Sequence, residues 1–277
     1  MSLLSDFLAP PVLRSDEELH LAIGGKTILV TGASHGIGEA LALRLGRTGA
    51  RVLLAARSQD RLEEVCGVIR DSGGEAWSYP LDLRDSEQID SVSQRLLQEH
   101  PVIDAVVHNA GKSIRRSLHK SLDRPHDFER CMGVNYLGPV RLQLALLPSM
   151  LETGGGHIIN VSSVSVRLAP AAHWAAYHCS KSAFDLWLGA AVPELKTARI
   201  ACTSVYFGLV HTRMSAPTEE YRKMPGQTPE EAASVVCRAL ARRPRVLQPW
   251  WLGPAHWLSA PFEPVTEWLQ SKIVGAP

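Results

Sequence analysis

Residues 27–39 have the sequence TILVTGASHGIGE, in which a short β-branched run enters a glycine-rich turn. The continuous apolar run Thr27–Val30 predicts a strand buried on both faces, and Gly38–Arg47 has the apolar spacing of an amphipathic helix. Glycines in the turn let the backbone approach a bound group closely. Because the turn leads into a helix N-terminus, where anions are favoured, the stretch predicts a site for the pyrophosphate of a dinucleotide.

The same alternation continues along the chain. Short apolar runs predict further strands at Arg51–Ala55, Ala76–Tyr79, Ile103–His108, His157–Val161 and Ile200–Tyr206. Amphipathic segments predict helices at Gln59–Asp71, Ser86–His100, Phe128–Met150 and Ala175–Leu195, and one that begins after a capping box formed by Thr228 and Glu231. Such alternation requires right-handed crossovers and helices on both faces of the sheet. We therefore predict an α/β fold, a doubly wound parallel sheet of the Rossmann-like type, in a single domain.

The composition limits the classes of function. The chain has 277 residues, 45% of them hydrophobic, and a net charge of +1, which suits a folded domain with no global field for binding nucleic acid. Its 5 cysteines form no C-x-x-C pair and its 11 histidines no H-x-x-x-H pair, so we expect neither disulfides nor a metal site. No apolar run approaches the ~18 residues of a membrane-spanning helix, and no targeting signal is evident. We expect a cytoplasmic protein.

The cofactor preference is predicted from the end of the second strand, about 20 residues after the glycine turn. NAD-binding turns usually place a carboxylate there, whereas this chain has Arg57. A guanidinium group pairs with a 2′-phosphate that a carboxylate would repel, so NADP(H) is preferred over NAD(H). His35 can add a second donor; the alternative is that Arg57 only begins a solvated helix. The candidate contacts in the turn are Gly32, Ser34, His35, Gly36, Ile37 and Gly38.

Tyr177 and Lys181 are four residues apart in a predicted helix, so they lie on one face, a turn apart. An ammonium group beside a phenol favours the phenolate, so Lys181 is expected to lower the tyrosine pKa from about 10. Such a tyrosine can act as a general acid or base. Ordinary amphipathic pairs share this spacing, so the motif needs support from its context. Cys179, between the two, is expected to face away as a buried thiol.

Six segments in a fixed order supply that context. They are Thr31–Gly38, Asp82-Leu83, Asn109-Ala110-Gly111, Asn135, Ser162-Ser163 and Tyr177-x-x-x-Lys181. Through them the chain resembles a short-chain dehydrogenase/reductase of the single-domain type. The resemblance implies an oxidoreductase that interconverts a carbonyl and a secondary alcohol of a small molecule. It also implies a homodimer or homotetramer, to whose interface Phe184 and Trp187 can contribute, although both can equally be core residues.

The resemblance further implies a role for each matched residue. Tyr177 would exchange a proton with the substrate oxygen, Lys181 would hold the nicotinamide ribose, and Asn135 would position a relay water. The remaining cofactor contacts would be Asp82, Leu83, Asn109, Ala110, Gly111, Gly208, Val210 and Thr212. Where the family commonly has Pro-Gly, this chain has Phe207-Gly208, so we expect an altered cofactor loop around Thr212.

Two serines compete for the role of binding the substrate oxygen. The family pattern places this serine second in the Ser-Ser pair, which selects Ser163 as the catalytic residue. However, its interval to Tyr177 is one residue longer than usual, so Ser165 stays an alternative. In an extended strand Ser163 and Ser165 share one face, and Ser162 points to the other.

The loop from Leu209 to Gln227 is long enough for a functional lid, and its apolar residues, together with Trp174, predict a hydrophobic substrate. Four of the 7 tryptophans, Trp250, Trp251, Trp257 and Trp268, lie in the last 28 residues, where prolines exclude a long amphipathic helix. Packing of this tail over the pocket or against another subunit is favoured over contact with a membrane. We divide the chain into an N-terminal extension (1–25), an NADP(H)-binding catalytic domain (26–241) and a Trp/Pro-rich C-terminal extension (242–277).

Two other functions compete with this interpretation. One is a non-catalytic nucleotide-binding sensor or scaffold, which would be expected to lack Ser163, Tyr177 or Lys181. The other is a peripheral membrane reductase that processes lipids, with basic residues and tryptophans of the tail at the bilayer surface.

Overall fold

The computed structural model describes residues 7–259 and 261–274. Its strands are β1 Thr27–Thr31, β2 Arg51–Ala56, β3 Glu75–Pro80, β4 Ala105–His108, β5 Gly156–Ser163, β6 Ile200–Phe207 and β7 Val246–Leu247. Its helices are α1 Asp16–Ile23, α2 Gly36–Arg47, α3 Gln59–Asp71, α4 Ser86–Glu99, α5 Pro125–Met132, α6 Gly138–Glu152, α7 Ala175–Thr197, α8 Pro229–Arg242, α9 Leu252–Ser259 and α10 Glu263–Val274. Short 3₁₀ turns lie at Leu118–Ser121, Val164–Arg167 and Glu219–Lys223.

All seven strands are parallel and form one sheet in the order β3-β2-β1-β4-β5-β6-β7. Apolar clusters cover both faces of the sheet, which explains the continuous apolar runs in its strands. The strand order changes direction between β1 and β4, where doubly wound sheets bind ligands at the carboxyl ends of their strands. The predicted α/β fold is confirmed, and the glycine turn after β1 lies beside the segment after β4.

The predicted helix Phe128–Met150 lies within a continuous helical stretch, Pro125–Glu152. The π-helical turn that joins α5 to α6 at Gly133–Leu137 was not predicted. A side chain at Gly138 would clash with the carbonyl oxygen of Leu83, so the chain passes close to the segment after β3 at this point. Amphipathic spacing does not distinguish a turn with one extra residue from an ordinary α-helical turn, so the sequence pattern did not predict this π-helical turn. π-Helical turns occur frequently at functional sites, and Asn135 lies in the middle of this one.

Four described elements lie outside the predicted pattern, namely α1, β7, α9 and α10. Helix α1 is capped by Ser15, whose hydroxyl accepts from the Glu18 amide at 3.1 Å, and it buries Leu19 and Ile23 in the core. Strand β7 has only two residues, too few to show as an apolar run, and it pairs with β6. The predicted capping box at the start of α8 is confirmed. The boundaries at residues 26 and 241 stay a prediction.

Candidate active site

The glycine turn after β1 depends on backbone conformations that favour glycine. Gly32 and Gly36 have φ values of 68° and 59°, in the left-handed region. A side chain at Gly38 would clash with the carbonyl oxygen of Gly32, so this glycine permits the tight turn. His35 lies with Nδ1 3.1 Å from Ser34 Oγ and Nε2 3.3 Å from an Arg213 guanidinium nitrogen. The sequence pattern thus identified the turn, but it gave no sign that the loop after β6 reaches His35.

Asn109, which directly follows β4, stabilises this turn through hydrogen bonds. Its Nδ2 donates to the carbonyl oxygen of Thr31 at 2.9 Å and to that of Gly32 at 3.3 Å. The Thr31 hydroxyl accepts from the amides of Asn109 at 3.1 Å and Ala110 at 3.0 Å. The motif Asn109-Ala110-Gly111 therefore fixes the glycine turn in the described structure, whatever further contact it makes with a cofactor.

The residues around the turn fit a dinucleotide phosphate. Helix α2 begins at Gly36, and the side chain of its N-cap residue His35 makes no capping hydrogen bond in the described structure. The first amides of α2 can therefore donate to a bound anion. Arg57 is exposed directly after β2. Thr212 lies against the turn, since a Cβ atom at Gly36 would be 3.1 Å from its methyl group. Nearby, Gly208 is exposed and Val210 is buried.

Asp82 and Leu83 follow β3 as predicted, but the carboxylate already has a partner. Arg84 donates to Asp82 from its backbone amide at 3.0 Å and from its guanidinium group at 2.6 Å. These bonds hold the pKa of Asp82 below its usual range, with a smaller contribution from Arg57. Leu83 is buried against the second core. An adenine contact by Asp82 stays a prediction, and it would share the carboxylate with Arg84.

The π-helical turn brings Asn135 to the segment after β4. Its Nδ2 donates to the carbonyl oxygen of Lys112 at 2.8 Å and to the Ser180 hydroxyl at 2.9 Å, and its Oδ1 accepts from the Lys112 amide at 2.7 Å. Asn135 therefore joins the π-helical turn to the segment after β4 and to α7, the helix that carries Tyr177 and Lys181. Ser180 and Lys112 were not singled out from the sequence, although each is adjacent to a motif residue, Lys181 and Gly111 respectively. The relay water stays a prediction.

Lys181 is buried, and its Nζ donates to the carbonyl oxygen of Val161 at 2.9 Å. Burial lowers its pKa to about 8, and the negative charge of Asp185 opposes this shift. Asp185 lies one helical turn further along α7 and accepts from Asn160 Nδ2 at 3.0 Å and from the Tyr206 hydroxyl at 2.9 Å. The spacing of four residues between Lys181 and Asp185 was a signal that the motif search did not use.

Tyr177 faces the same crevice, but its acidity differs from the expectation. Burial raises the pKa of its hydroxyl, and hydrogen bonding to Ser163 opposes that rise. The expected lowering by Lys181 is therefore wrong for the described structure, because desolvation disfavours the phenolate and the ammonium group is bound to a backbone carbonyl. The tyrosine stays protonated at neutral pH.

The three serines after β5 have separate environments. Ser163 Oγ accepts from the Ser165 amide at 3.2 Å and lies 3.0 Å from Ser165 Oγ. Ser162 is buried, and within the described residues its hydroxyl has no hydrogen-bond partner. Ser163 thus lies between Ser165 and Tyr177, which is the arrangement expected if Ser163 contacts the substrate and Ser165 supports it.

Aromatic rings cover the crevice. Trp174, just before α7, packs edge-on against Tyr177 at 5.8 Å between ring centroids and stacks on Tyr221 at 6.2 Å with an interplanar angle of 6°. Tyr221 comes from the loop at 209–227, whose two ends are joined by a bridge between Val210 and Gln227. The loop is not without regular structure, since it contains a 3₁₀ turn at Glu219–Lys223. Through Tyr221 and Trp174 the loop packs close to Tyr177.

Comparison with known proteins gives this arrangement a family. A family model described as short chain dehydrogenase matches residues 26–223. The chain belongs to this family. It is similar to a fatty acyl-CoA reductase of Acinetobacter baylyi, with 46% identity over 223 residues that cover 80% of this chain and 75% of the relative. It is also similar to a fatty acyl-CoA reductase of Mycobacterium tuberculosis, with 41% identity over 225 residues, 81% of this chain and 76% of that protein.

Solved structures agree with the assignment. A metagenomic short-chain oxidoreductase in complex with NADP is 32% identical, has a TM-score of 0.70, and is matched over 80% of this chain and 93% of its own. A short-chain dehydrogenase from Streptomyces avermitilis is 28% identical, with a TM-score of 0.76 over 89% of this chain and 97% of its own. This short-chain dehydrogenase is therefore an oxidoreductase of a family that uses nicotinamide cofactors.

The C-terminal helices of this short-chain dehydrogenase lie along the segment that precedes α7. His256 Nδ1 of α9 is 2.7 Å from the carbonyl oxygen of Arg167. Gln270 of α10 accepts from the Ala172 amide at 2.7 Å and donates to the carbonyl oxygen of Pro170 at 3.0 Å. Both helices thus border the crevice. Among the described residues of this tail, α9 has 8 residues and α10 has 12.

The tail tryptophans divide into two pairs. The indole nitrogens of Trp250 and Trp251 donate to the carbonyl oxygens of Phe7 and Leu8 at 3.1 and 3.2 Å, so they attach the N-terminal segment. Trp257 and Trp268 are 83% and 60% exposed. Within residues 7–259 and 261–274, no helix is both long and apolar enough to cross a bilayer.

Several other residues were singled out from the sequence, and the expectation for one of them, Cys179, is wrong. Cys179 is exposed rather than buried, because it lies on the outer face of α7. Phe184 is buried and packs against His108 with ring centroids 5.0 Å apart, so it belongs to the core and not to a subunit interface. Trp187 stacks on Phe184 at 5.4 Å. In the described part of the chain, no group of three His, Cys, Asp or Glu side chains can hold a metal ion.

Proposed function

We propose that this short-chain dehydrogenase is an NADP(H)-dependent reductase that interconverts a carbonyl and an alcohol of a hydrophobic substrate. The observation that carries the proposal is the convergence of the Tyr177 hydroxyl, the Ser163 hydroxyl and the Lys181 ammonium group at the carboxyl end of β5. The alternative of a sensor without turnover gains no support, since the whole set of protic groups is present.

The residues that would hold the cofactor follow from the crevice. The amides at the start of α2 and the turn at Gly32, Gly36 and Gly38 suit its pyrophosphate, and exposed Arg57 suits a 2′-phosphate. The NADP complex of the metagenomic relative supports this preference. When bound, the cofactor supplies the two electrons of the reduction.

The protein side chains then manage the proton. Ser163 would donate a hydrogen bond to the substrate oxygen and stabilise the charge that develops there. Because burial keeps Tyr177 protonated, the tyrosine is ready to donate its proton in the direction of reduction. Lys181, with a pKa of about 8, is largely cationic near neutral pH and would stabilise the phenolate that results.

The substrate class follows from the walls of the crevice and from the relatives. Trp174, Tyr221 and the apolar surfaces of α9 and α10 suit an aliphatic chain. The two fatty acyl-CoA reductases among the relatives favour a fatty acyl thioester as a second, more specific candidate. In that reaction the carbonyl carbon would gain a hydride supplied by the cofactor, and the carbon–sulfur bond would break. The thiolate would leave and take up a proton, so the products would be an aldehyde and a free thiol.

The decisive experiment replaces one oxygen atom. Tyr177→Phe should lower kcat/KM for NADPH-dependent reduction of lauraldehyde, a long-chain ketone and lauroyl-CoA by about 100-fold to 10,000-fold. Tyr79→Phe is the matched control, because Tyr79 is a buried tyrosine that donates to Glu99 at 2.6 Å, away from the crevice. Binding of NADPH, measured by fluorescence titration, should be unchanged in both variants. Retained turnover in Tyr177→Phe, or tight NADPH binding by the wild type without turnover of any of these substrates, would refute the proposal.

A further inference from the structure

Cationic side chains surround one buried carboxylate at the start of α5. Asp127, with a side chain only 5% exposed, has Oδ2 at 3.0 Å from Arg116 Nε and 2.9 Å from Arg124 Nε. Its Oδ1 lies 3.6 Å from His126 Nε2 and 3.7 Å from Arg130 Nη1. We call Arg116, Arg124, His126 and Arg130 the basic cluster.

The basic cluster carries more positive charge than its acidic partners neutralise. Asp127 supplies one negative charge, and Asp123 acts on Arg124 as a second, against the three guanidinium groups of Arg116, Arg124 and Arg130. The surrounding segment is also basic. Its charged residues are Lys112, Arg115, Arg116, Lys120, Arg124 and Arg130 against Asp123, Asp127 and Glu129. In a chain with a net charge of +1, this is a local concentration of positive charge.

A cavity connects the basic cluster with the catalytic helix. It has a volume of about 120 Å³. Its polar lining residues are Arg116, Ser121, Asp127 and His173, and its apolar ones are Ile114, Leu118, Phe128, Ala175 and Ala176. At about 30 Å³ per water molecule, this is room for about four waters, enough for a small anionic group. Ala176 directly precedes Tyr177 in α7, and Tyr177 itself does not line the cavity.

The end of α7 adds to the same field. Trp174 stands at its N-cap position and provides no capping hydrogen bond, while Ala175 and Ala176 line the cavity. The uncapped N-terminus of this 23-residue helix therefore contributes partial positive charge beside Arg116. The Arg116 amide also donates to the carbonyl oxygen of His173 at 2.8 Å, which fixes the segment against the helix.

We propose that the basic cluster binds the phosphate groups of a coenzyme A thioester while its acyl chain lies under Trp174 and Tyr221. The inference rests on the proposed function. Guanidinium groups match phosphate oxygens in charge and in bidentate geometry, and an anion there offsets the surplus charge around Asp127. The arrangement gives the substrate two ends of opposite character, with phosphates at the basic cluster and hydrocarbon toward the C-terminal helices.

Arg130 is the side chain with which to test the proposal. It is half exposed and the most distant of the cluster from Asp127, so Arg130→Gln leaves Arg116 and Arg124 to bind that carboxylate. The matched control is Arg141→Gln, because Arg141 is a half-exposed arginine on α6 that pairs with Asp90 away from the crevice. Thermal unfolding of both variants checks that the fold is kept.

The measurement compares thioesters with and without phosphate. Arg130→Gln should raise KM for lauroyl-CoA by about tenfold and leave kcat/KM for lauroyl-N-acetylcysteamine unchanged. Arg141→Gln should change neither, and rising salt should raise the wild-type KM only for the coenzyme A ester. Equal effects of Arg130→Gln on both thioesters, or no effect on lauroyl-CoA, would overturn the proposal.

A binding experiment separates this proposal from the proposed function. Calorimetric titration of the NADP⁺-loaded protein with free coenzyme A should show binding that Arg130→Gln weakens by about tenfold. This result would support the phosphate site even if no substrate were turned over, in which case the proposed function alone would fail. Absence of coenzyme A binding by the wild type would overturn the phosphate site, and turnover of lauraldehyde would then leave the reductase proposal intact.

Discussion

The catalytic end of the sheet and the two C-terminal helices differ in how their side chains find partners. At the catalytic end, buried polar groups bond between separate elements, as Asn135 and Lys181 do with backbone carbonyls from two other segments. In α9 and α10 several large apolar side chains, among them Trp257 and Trp268, are exposed, and single polar residues attach each helix to the segment before α7. The first region is fixed by many bonds and the second by few.

This difference teaches where chemistry and selectivity are encoded. A polar group buried without its partner costs free energy, so each member of the catalytic network constrains the others. The C-terminal helices carry no such mutual constraint, and their exposed apolar surface suits a ligand or partner rather than the core. We expect substitutions at the catalytic end to affect rate strongly, and those in the tail to affect substrate preference weakly.

After Tyr177, the largest expected effect is at Ser163. Ser163→Ala should lower kcat by about 100-fold to 1,000-fold, because it removes the donor to the developing oxyanion. Ser165→Ala, the matched control, removes a hydroxyl 3.0 Å from Ser163 Oγ and should cost less than about tenfold. Steady-state kinetics with NADPH and lauraldehyde measure both. A larger loss at Ser165 would reverse the assignment.

Lys181→Met should stabilise the cofactor-free protein. The folded-state pKa of about 8 lies below the ordinary value of 10.5, so at pH 7 the folded protein bears the cost of a buried charge. Between pH 8 and 10.5 the unfolded chain binds more protons, so wild-type stability rises with pH and the advantage of the variant falls. At pH 7 the gain should be up to about 3 kcal/mol, less about 1 kcal/mol for the lost bond to Val161.

Urea unfolding at about pH 7 and about pH 9.5 measures this difference. Exposed Lys223 provides the control, since Lys223→Met should alter stability little at either pH. An advantage of Lys181→Met that does not shrink with rising pH would show that the charge is not the cause.

Arg57→Asp should reverse the cofactor preference. Loss of a charge-assisted bond to the 2′-phosphate should raise KM for NADPH by about 10-fold to 100-fold and leave KM for NADH nearly unchanged. Arg61→Asp is the control, because Arg61 on α3 pairs with Glu39 and Glu64. Equal changes in KM for NADPH and for NADH would contradict the assignment of Arg57 to the 2′-phosphate.

The smallest effect is expected at Gln270, in the tail. Gln270→Ala breaks the two bonds between α10 and the segment before α7 and should raise KM for lauraldehyde by about fivefold, with little change for butanal. Ser271→Ala removes only a bond within α10 and serves as the control. A similar loss for both aldehydes would mean that α10 supports the catalytic end and does not select the substrate.

Much of the fold was predictable because its strands are buried on both faces and its turns need particular residues. The six predicted strands match β1–β6 closely, and the helix Gln59–Asp71 has the predicted bounds. Strand β7 was missed because two residues carry no pattern. The π-helical turn was missed because Asn135 and its neighbours keep an amphipathic spacing, and the close approach of Gly138 to Leu83 appears only in the folded structure.

The candidate site was likewise predictable only in part. The motifs located the glycine turn, Asn109, Asn135, Ser163, Tyr177 and Lys181, since each depends on residue type and spacing along the chain. The spacing of Tyr177 and Lys181 predicted a lowered tyrosine pKa, yet burial raises it. Desolvation depends on the elements packed around a group, and these come from distant parts of the sequence.

By itself, the sequence determined the α/β fold, the family and the order of the motifs, because local periodicity and glycine positions are properties of neighbouring residues. Only the tertiary structure decided how Trp174 meets Tyr221, how three arginines and a histidine meet Asp127, and which tail tryptophans stay exposed. Trp174 and Tyr221 are 47 positions apart, and such contacts exist only once hydrophobic burial has brought the elements together.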